Sequence, residues 1–257
     1  MTYLRAVWGL WVRDVMRFVR QRSRIIGALG SPVVFWFLIG SGLGRSFQAG
    51  PEARLAGGYL EYFFPGTLAL IILFTAIFST ISVIEDRREG FLQGVLVAPV
   101  RRSAIVLGKI LGGTTLAVAQ AGLFLLLAPL ARVPLTLAAI VPLAGVLLLV
   151  AVGLTGLGFL IAWNMESTQG FHAIMNLFLV PMWLLSGALF PESGASGWVR
   201  IIMAINPLTY GVDAIRLVLF GHAASAPSLT LSVGLTAAFA AAMVVGSTLA
   251  VSRPLRG

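Results

Sequence analysis

Long hydrophobic stretches divide the chain, and six of them are long enough to cross a bilayer as helices. A spanning helix needs about 20 predominantly apolar residues. The stretches are Ile25–Gly44, Tyr62–Ile84, Ile110–Ala131, the part of Val133–Met165 from Pro142 onward, Ser167–Pro191 and the part of Leu217–Ser252 from Ser228 onward. Proline fits the first turn of a helix, so we expect the fourth span to begin near Pro142. The pattern predicts an all-α integral membrane protein with six transmembrane helices between residues 25 and 252.

Residues 1–24 have a different pattern, in which apolar and basic side chains occupy two faces of one helix. The apolar positions are Leu4, Val7, Trp8, Trp11, Val15, Phe18 and Val19, and the basic positions are Arg13, Arg17, Arg20 and Arg24. A helix with Trp on one face and Arg on the other is typical of the headgroup plane of a membrane. We therefore expect an N-terminal interfacial amphipathic helix rather than a cleavable signal peptide. The pattern leaves open whether this helix only anchors the first span or also serves gating or partner docking.

The charge distribution orients the predicted spans. With 58% hydrophobic and 11% charged residues, the chain lies far outside the range of soluble domains. Its net charge of +9 would suggest a nucleic-acid partner in a soluble protein. However, when the N-terminus is placed inside, all basic residues fall in inner segments except Arg45, Arg54, Arg132, Arg200 and Arg216. Inner loops of membrane proteins are enriched in Lys and Arg. Both termini are therefore predicted to be cytoplasmic, and the basic residues to face the bilayer surface rather than nucleic acid.

The sequence contains no convincing enzyme or metal motif. The chain lacks cysteine, and neither of its two histidines, His172 and His222, has a partner at metal-ligand spacing. Ser186 in LLSGA has no accompanying features of a catalytic serine. The phosphate-binding motif GxxxxGK[ST] is also absent, since Ser103 stands at its first glycine and Ile110 follows Lys109. We expect no catalytic residue and no metal site on this chain.

An ion-coupled secondary transporter is an alternative that the sequence disfavours. Such transporters commonly carry acidic or histidine side chains near the membrane midplane. Here the carboxylates of the predicted spans and loops fall at helix ends or between helices, at Glu85, Asp86, Glu89 and Glu166 inside and at Glu52, Glu61, Glu192 and Asp213 outside. This alternative would show transport that collapses with the ion gradient and needs no second protein.

The most charged stretch is IEDRREGFLQGVLVAPVRR, Ile84–Arg102, a predicted cytoplasmic connection between spans two and three. Glu85–Glu89 is predicted to form the first turn of a short helix, because acidic residues are favoured near a helix N-terminus. An apolar stripe follows, and Pro99 is predicted to end the helix. A plain interfacial turn explains the terminal arginines. Mixed charges followed by an apolar stripe favour a helix that fits a groove of another protein.

Two stretches resemble the membrane subunits of ABC-2 type transporters, near the daunorubicin-resistance and nodulation-factor export permeases. The first is EDRREGFLQGVLVAPVRRSAIVLGKIL, Glu85–Leu111, with its acidic start, Ala-Pro followed by basic residues, and Leu-Gly-Lys. The second combines Leu179, Met182, Leu185, Ser186, Ala188, Ala195 and Ser196 with NPLTYGVDAIR, Asn206–Arg216. Length, span count and orientation agree as well. The resemblance therefore covers the chain as a single ABC-2 type transmembrane domain, residues 1–257.

The resemblance implies a partner that supplies the energy. Such permeases form homodimers or heterodimers with a related permease in the cytoplasmic (inner) membrane of bacteria or archaea, and they recruit separate ATP-binding cassette ATPase subunits. ATP and Mg²⁺ then belong to the ATPase, and this chain is expected to bind no cofactor and to be no enzyme. The inner segment is similar to the coupling helix that sits in a cleft of the ATPase. Its residues here are Glu85, Arg87, Arg88, Glu89, Gly90, Phe91 and Leu92.

Between spans five and six lie two apolar stretches that are too short to span comfortably, Trp198–Ile205 and Leu208–Phe220. Asp213 and Arg216 are three residues apart, so they are predicted to pair on one helix face. The resemblance implies a re-entrant helical hairpin before span six that helps to close the outer exit. Helices that lie flat at the interface are the alternative. The candidate gate residues are Pro207, Tyr210, Asp213 and Arg216.

The resemblance further implies export of an amphipathic, drug-like or lipid-linked substrate. Export of polysaccharide or glycolipid by the same fold is the alternative, which the scarcity of Asn, Gln and Asp in the spans disfavours. Aromatic residues could line the path, although aromatic belts at the membrane interface are a common explanation for such residues. The pathway candidates are Phe35, Phe64, Phe74 and Phe78.

Overall fold

The computed structural model describes residues 3–43, 58–97, 100–221 and 227–252. The regular structure of these residues is helical: α1 Tyr3–Arg20, α2 Arg22–Leu43, α3 Tyr59–Arg88, α4 Phe91–Val97, α5 Arg102–Leu125, α6 Leu137–Trp163, α7 Thr168–Trp183, α8 Gly197–Ile205, α9 Pro207–Phe220 and α10 Leu229–Ser252. A π-helical turn, Leu184–Ala188, extends α7. The predicted helix stop at Pro99, the histidine His222 and the arginines Arg45, Arg54, Arg253 and Arg256 lie outside the described residues.

Within the described residues, six helices are long and apolar enough to cross a membrane, which confirms the predicted all-α fold with six spans. They are α2, α3, α5, α6, α7 with its π-helical extension, and α10. Several predicted boundaries were wrong. The helix α3 continues to Arg88 and α5 begins at Arg102. Asp86 near the end of α3 and Lys109 near the start of α5 pair with each other inside the protein, so these charged residues need not lie in water. Pro142 lies inside α6, since the residues just before it are as apolar as those that follow.

The long helix α3 is the centre of the bundle. In its most apolar stretch, 83% of the residues are buried within the protein, compared with 22% of those in α2 and 17% of those in α10. It contacts α2, α5, α6, α7 and α9. The peripheral helices present large apolar side chains outward, such as Phe37 and Leu38 on α2 and Leu249 on α10. These outer surfaces suit contact with lipid or with another apolar helix.

Close glycine contacts fix the directions of the spans. A methyl group added to Gly153 of α6 would lie 2.7 Å from Phe239, and one added to Gly156 would lie 2.9 Å from Met243. Residue numbers at successive contacts increase on both α6 and α10, so these two helices run parallel. The helix α7 lies between them in the chain and brings Trp183 to Gly66 at the start of α3. The helix α7 therefore returns the chain to the end of the bundle at which α6 begins, and α10 begins at that same end. Consequently the segment between them, α8 and α9, begins and ends at one end of the bundle.

The helices α8 and α9 therefore do not form a seventh crossing. They meet at 84°, and Gly211 of α9 packs against Val150 near the middle of α6. A segment that reaches the middle of a span and returns to its starting end has the geometry of a re-entrant hairpin. The parallel direction of α6 and α10 is the observation that requires this arrangement.

Single cysteines test this topology, because the chain has no native cysteine. Ser193→Cys precedes α8 and Ser228→Cys precedes α10, and both positions are exposed. We expect a membrane-impermeant maleimide to label both from the same side of intact cells or oriented vesicles. The control Gln93→Cys, exposed on α4, should react only from the opposite side. Labelling of positions 193 and 228 from opposite sides would show that the pair crosses the membrane.

Candidate functional site

A buried carboxylate joins three helices at the end of the bundle that carries most of the described basic residues, which we call the basic end. Asp86, near the end of α3, is fully buried. Arg13 of α1 donates to both of its oxygens, at 2.8 and 2.6 Å. Arg17 donates at 2.7 Å, and Lys109 of α5 donates as well. An ion of this kind is stable away from water only when charges and hydrogen bonds compensate its lost hydration. The side chains from α1 and α5 supply this compensation.

The surrounding residues complete an electrically balanced group. The Lys109 ammonium also donates to Asp14 of α1 at 3.0 Å and to Ser82 of α3 at 3.1 Å. Arg24 of α2 pairs with Glu85. Arg17 also lies 3.2 Å from Glu85 and 2.9 Å from Glu89. We call this set of four cations and four carboxylates the charge cluster: Arg13, Arg17, Arg24, Lys109, Asp14, Glu85, Asp86 and Glu89.

The charge cluster depends on a close approach of α1 to α5. A methyl group on Gly108 would lie 2.7 Å from the Leu10 Cβ, and one on Gly112 would lie 3.3 Å from the Asp14 Cβ. Small residues let membrane helices approach closely. Glycine at these positions therefore brings Asp14 within reach of Lys109.

The buried surroundings shift the pKa values of two neighbouring residues of α1, Arg13 and Asp14. Burial raises the pKa of the Asp14 carboxyl above its ordinary value, and the Lys109 ammonium partly offsets this effect. The hydrogen bond to Asp86 raises the pKa of Arg13, so its guanidinium remains charged. The helix α1 thus uses Arg13 and Arg17 for contacts within the protein. The helical pattern had separated these arginines from the apolar face, but it did not predict that they bind a buried carboxylate.

The predicted start of the coupling helix also requires correction. Glu85–Arg88 form the last turn of α3, and the chain turns at Gly90, whose φ of 76° favours glycine. The short helix α4 begins at Phe91. The acidic residues belong to α3 because basic residues from α1 and α2 neutralise them there, so they do not begin a separate helix.

The side chains of α4 divide between the protein and the surface. Phe91 lies under the Arg13 guanidinium, 3.6 Å from ring centroid to Cζ, and Leu92 is buried. The Arg13 side chain therefore connects α4 directly to Asp86. The exposed side chains at this turn and helix are Arg88, Glu89, Gln93 and Val97, together with Gly94.

Two further arginines bind the ends of other spans at the basic end of the bundle. Arg87 donates to the carbonyls of Trp163 and, at 3.4 Å, Met165, just where α6 ends. Arg102 donates to the Val251 carbonyl at 2.9 Å, at the end of α10. The last carbonyls of a helix lack partners within it and carry partial negative charge, so a cation stabilises them. Arg87 therefore holds α6 beside α3.

At the opposite end, a break in α7 exposes backbone carbonyls that side chains satisfy. Gly187 in the π-helical turn has a φ of 75°, and its carbonyl accepts from Tyr62 at 2.9 Å and from Arg216 at 3.0 Å. The Asn206 amide donates to the carbonyls of Met182 and Leu185 at 2.6 and 2.9 Å. Unpaired backbone groups are costly in a membrane interior, so these bonds stabilise the break.

The candidate gate residues lie around this break. The predicted pair of Asp213 and Arg216 is confirmed at 3.5 Å. Pro207 occupies the first turn of α9, and the Tyr210 hydroxyl donates to the Ala204 carbonyl of α8 at 2.6 Å. Arg216 also lies 4.7 Å from the Tyr62 ring centroid. These contacts attach the hairpin to both α7 and α3.

The four pathway candidates do not form one surface. Phe64 is fully buried, stacked 4.7 Å from Phe124, and packs the core. Phe35 is 53% exposed on α2. Phe74 and Phe78 are partly buried and stack on each other at 6.3 Å. Of these residues, only Phe35, Phe74 and Phe78 have side-chain surface available for a substrate in this conformation.

Sequence reasoning did not identify several residues of these sites. Lys109 is the only lysine of the chain, and Asp14 is the only acidic residue of α1. A lone opposite charge in a basic helix was a signal for a buried pair. The roles of Tyr62 and Asn206 had no such signal, since their partners are backbone carbonyls exposed by a local break. Among the described residues, no group of three or more His, Asp or Glu could hold a metal ion.

Comparisons with known proteins agree with the fold and with the expected family. A family model described as "ABC-2 type transporter" matches residues 5–220. Similar proteins include a putative transport permease ycf38 of Cyanophora paradoxa, 26% identical over 86% of this chain and 76% of the relative. Nodulation protein J of Rhizobium leguminosarum bv. trifolii is 27% identical over 83% of this chain and 81% of the relative. The probable multidrug ABC transporter permease YbhR of Escherichia coli (strain K12) is 27% identical over 60% of this chain and 42% of the relative.

Asp86→Asn tests the charge cluster. The substitution removes the negative charge that Arg13, Arg17 and Lys109 share and leaves the charge cluster with one excess positive charge, so we expect a loss of about 3–5 kcal/mol in the free energy of unfolding. The measurement is thermal or denaturant unfolding of the detergent-purified protein. The control Glu89→Gln changes the exposed rim and should cost less than about 1 kcal/mol. If the single variant does not fold, Asp86→Asn with Lys109→Met should recover part of the loss. Equal stability of the two single variants would contradict the central role of Asp86.

Gly66→Ala tests the contact between α3 and the π-helical turn. The new methyl group would lie 2.6 Å from the Ala188 Cβ, so we expect a loss of about 1–3 kcal/mol from overpacking. The control Gly145→Ala places a methyl group in α6 where no atom lies within 4 Å. It should be neutral or stabilise by up to about 1 kcal/mol. Unfolding measurements that rank the two variants in the reverse order would contradict this packing.

Proposed function

The chain belongs to the ABC-2 type transporter family, and from this premise we propose that it is the membrane subunit of an exporter driven by ATP hydrolysis on a separate chain. The observation that carries the proposal is the contact that Arg13 makes between α4 and the end of α3. The Arg13 guanidinium contacts Phe91 on one side and Asp86 on the other. Force applied to α4 from outside the membrane is therefore applied to α3 as well.

The proposed docking surface for the ATPase is the exposed part of this segment. Val97 at the end of α4 is 86% exposed and offers an apolar contact to a partner. Arg88 and Glu89 add charges of both signs, and interfaces use such charges for orientation and register. We assign direct contact to Arg88, Glu89 and Gly90. Glu85, Arg87, Phe91 and Leu92 then transmit the movement to the spans.

The helix α3 supplies the path from the ATPase to the outer end. Its 30 residues extend about 45 Å at 1.5 Å per residue. One end holds Asp86 in the charge cluster, and the other holds Tyr62 against the Gly187 carbonyl. We propose that closure of two ATPase subunits tilts α3 and thereby moves the π-helical turn. Arg216 binds the same carbonyl, so the hairpin of α8 and α9 would move with it and open the outer exit.

The proposed substrate is amphipathic, and drug-like or lipid-linked. Apolar side chains dominate the exposed surfaces of α2 and α7, including Phe35 and Phe178. The similarity to a permease named as a probable multidrug transporter supports a drug-like substrate. Polysaccharide or glycolipid export would require more polar side chains along these surfaces. We further propose a homodimer or a heterodimer with a related permease, in the cytoplasmic membrane of a bacterium or archaeon, with both termini inside.

The structure disfavours the ion-coupled alternative within the described spans. The buried carboxylates Glu61 and Asp86 lie in the first and last turns of α3. Asp86 is neutralised by cations, and Asp213 in the hairpin pairs with Arg216. A relay requires carboxylates that gain and lose ions during the cycle. Paired carboxylates at helix ends are poorly suited to this role.

Val97→Asp tests the docking surface. The variant should keep its fold, because the side chain is 86% exposed, but it should lower recovery of the co-purifying ATPase about tenfold or more, as expected for a central interface residue. The measurement is stoichiometry after purification from native membranes, together with transport-linked ATP hydrolysis. The matched control is Leu137→Asp, equally exposed at the opposite end of the bundle. Purification without any ATPase, or transport that depends only on an ion gradient, would contradict the proposed function.

A further inference from the structure

A groove between α1 and α5 takes no part in the charge cluster or in the proposed coupling surface. It has a volume of about 550 Å³, and we call it the α1–α5 groove. Its walls are almost entirely apolar. The residues used in the following argument are Leu4, Arg5, Trp8, Trp11, Leu111 and Thr115.

The groove is open, although large apolar side chains line it. Leu4 is 74% exposed, Trp8 is 64% exposed and Leu111 is 43% exposed. Leu111 belongs to a spanning helix, so its exposed face meets the hydrocarbon of the bilayer. Trp8 and Trp11 lie 4.6 Å apart between ring centroids and form one wall. An apolar chain from the bilayer can therefore enter the groove sideways, without crossing water.

The groove lies in the part of the membrane nearest the basic end of the bundle. Leu111 is nine residues beyond the start of α5 at Arg102, about 14 Å along the helix axis. This distance falls within one leaflet of a hydrocarbon core about 30 Å thick. Tryptophan is also enriched at this boundary between headgroups and hydrocarbon. The depth suits the upper part of an acyl chain whose headgroup lies at the surface.

The polar groups of the groove favour an anionic occupant. The Trp11 indole donates to the Thr115 hydroxyl at 3.0 Å, and that hydroxyl donates to the Leu111 carbonyl at 2.8 Å, so both groups are satisfied. The remaining polar lining group is the Arg5 guanidinium. Among the described residues, no carboxylate pairs with Arg5, in contrast to Arg13 and Arg17 on the same helix. An unpaired cation beside an apolar groove is complementary to an anionic lipid.

We propose that the α1–α5 groove binds one anionic phospholipid from the leaflet at the basic end, with an acyl chain along Trp8 and Leu111 and the phosphate at Arg5. The bound lipid fills the space beside the contact of α1 with Gly108 and Gly112. It thereby holds α1 against α5 and supports the geometry of the charge cluster. This binding site is independent of the direction of transport and of the ATPase.

Arg5→Gln tests the headgroup contact in the full-length protein, reconstituted in nanodiscs of phosphatidylcholine. The probe is phosphatidylglycerol brominated on its acyl chains, which quenches nearby tryptophan fluorescence. We expect half-maximal quenching to require about five times more phosphatidylglycerol, the effect of one basic residue at an anionic surface. The matched control Arg20→Gln, exposed at the other end of α1, should leave the titration unchanged. Equal shifts in both variants would mean general surface attraction and would overturn the site.

Two more variants test the acyl-chain contact. Leu111→Phe should fill the groove and lower the maximal quenching, whereas Leu123→Phe, on another exposed part of α5, should not. Trp8→Phe should remove much of the signal specific to phosphatidylglycerol. Equal quenching by brominated phosphatidylcholine, or an unchanged signal in Trp8→Phe, would overturn the proposal. If the unsubstituted protein shows no quenching by brominated phosphatidylglycerol, and Leu111→Phe dissociates a dimer, the groove binds a second copy of the chain. That result would also overturn the proposal.

Discussion

The arrangement of the basic end of this protein depends on the neutralisation of one carboxylate, Asp86, in a place that water does not reach. Its two oxygens accept hydrogen bonds from Arg13, Arg17 and Lys109, which come from two different helices. A buried charge has a large desolvation cost, so each helix must stay where its cation reaches the oxygen. The position of α1, the end of α3 and the start of α5 are all set by this requirement. The same requirement fixes α4, because Phe91 packs on Arg13.

A second constraint acts at the other end of α3. The π-helical turn leaves carbonyls that cannot bond within their own helix, and the membrane offers no water to replace those bonds. Tyr62, Asn206 and Arg216 supply the missing donors. A stiff helix thus connects a group of ion pairs at one end with a group of bonds to carbonyls at the other. Both groups are directional and have defined partners, so a displacement of α3 alters both. This arrangement is the basis of the proposal that the subunit receives work at one membrane surface and uses it at the other.

The candidate residues show where sequence reasoning succeeded and where it did not. The pairing of Asp213 with Arg216 followed from helical spacing, because both residues lie on one short helix. The predicted start of the coupling helix was wrong at Glu85–Arg88, because these residues form the last turn of α3. Local charge preference favoured a new helix there, but cations more than 60 residues away in the chain neutralise these residues in place. Leu92 shows the same difficulty, since an apolar residue on a short helix serves a partner or the protein's own core equally well. Its assignment depends on the neighbouring helices.

The sequence by itself determined the number of spans and the family, because these follow from the length of apolar runs and from local motifs, and it predicted the orientation of the spans from the placement of basic residues. Each of these signals can be read from one stretch of the sequence without knowing which other stretches it contacts. The tertiary structure decided which charges are buried together, which face of α1 meets the protein, and that α8 and α9 return to their starting end. These features arise from contacts between segments far apart in the chain. The free energy of a buried ion or an unpaired carbonyl depends on which neighbour reaches it, and only the packed helices specify that neighbour.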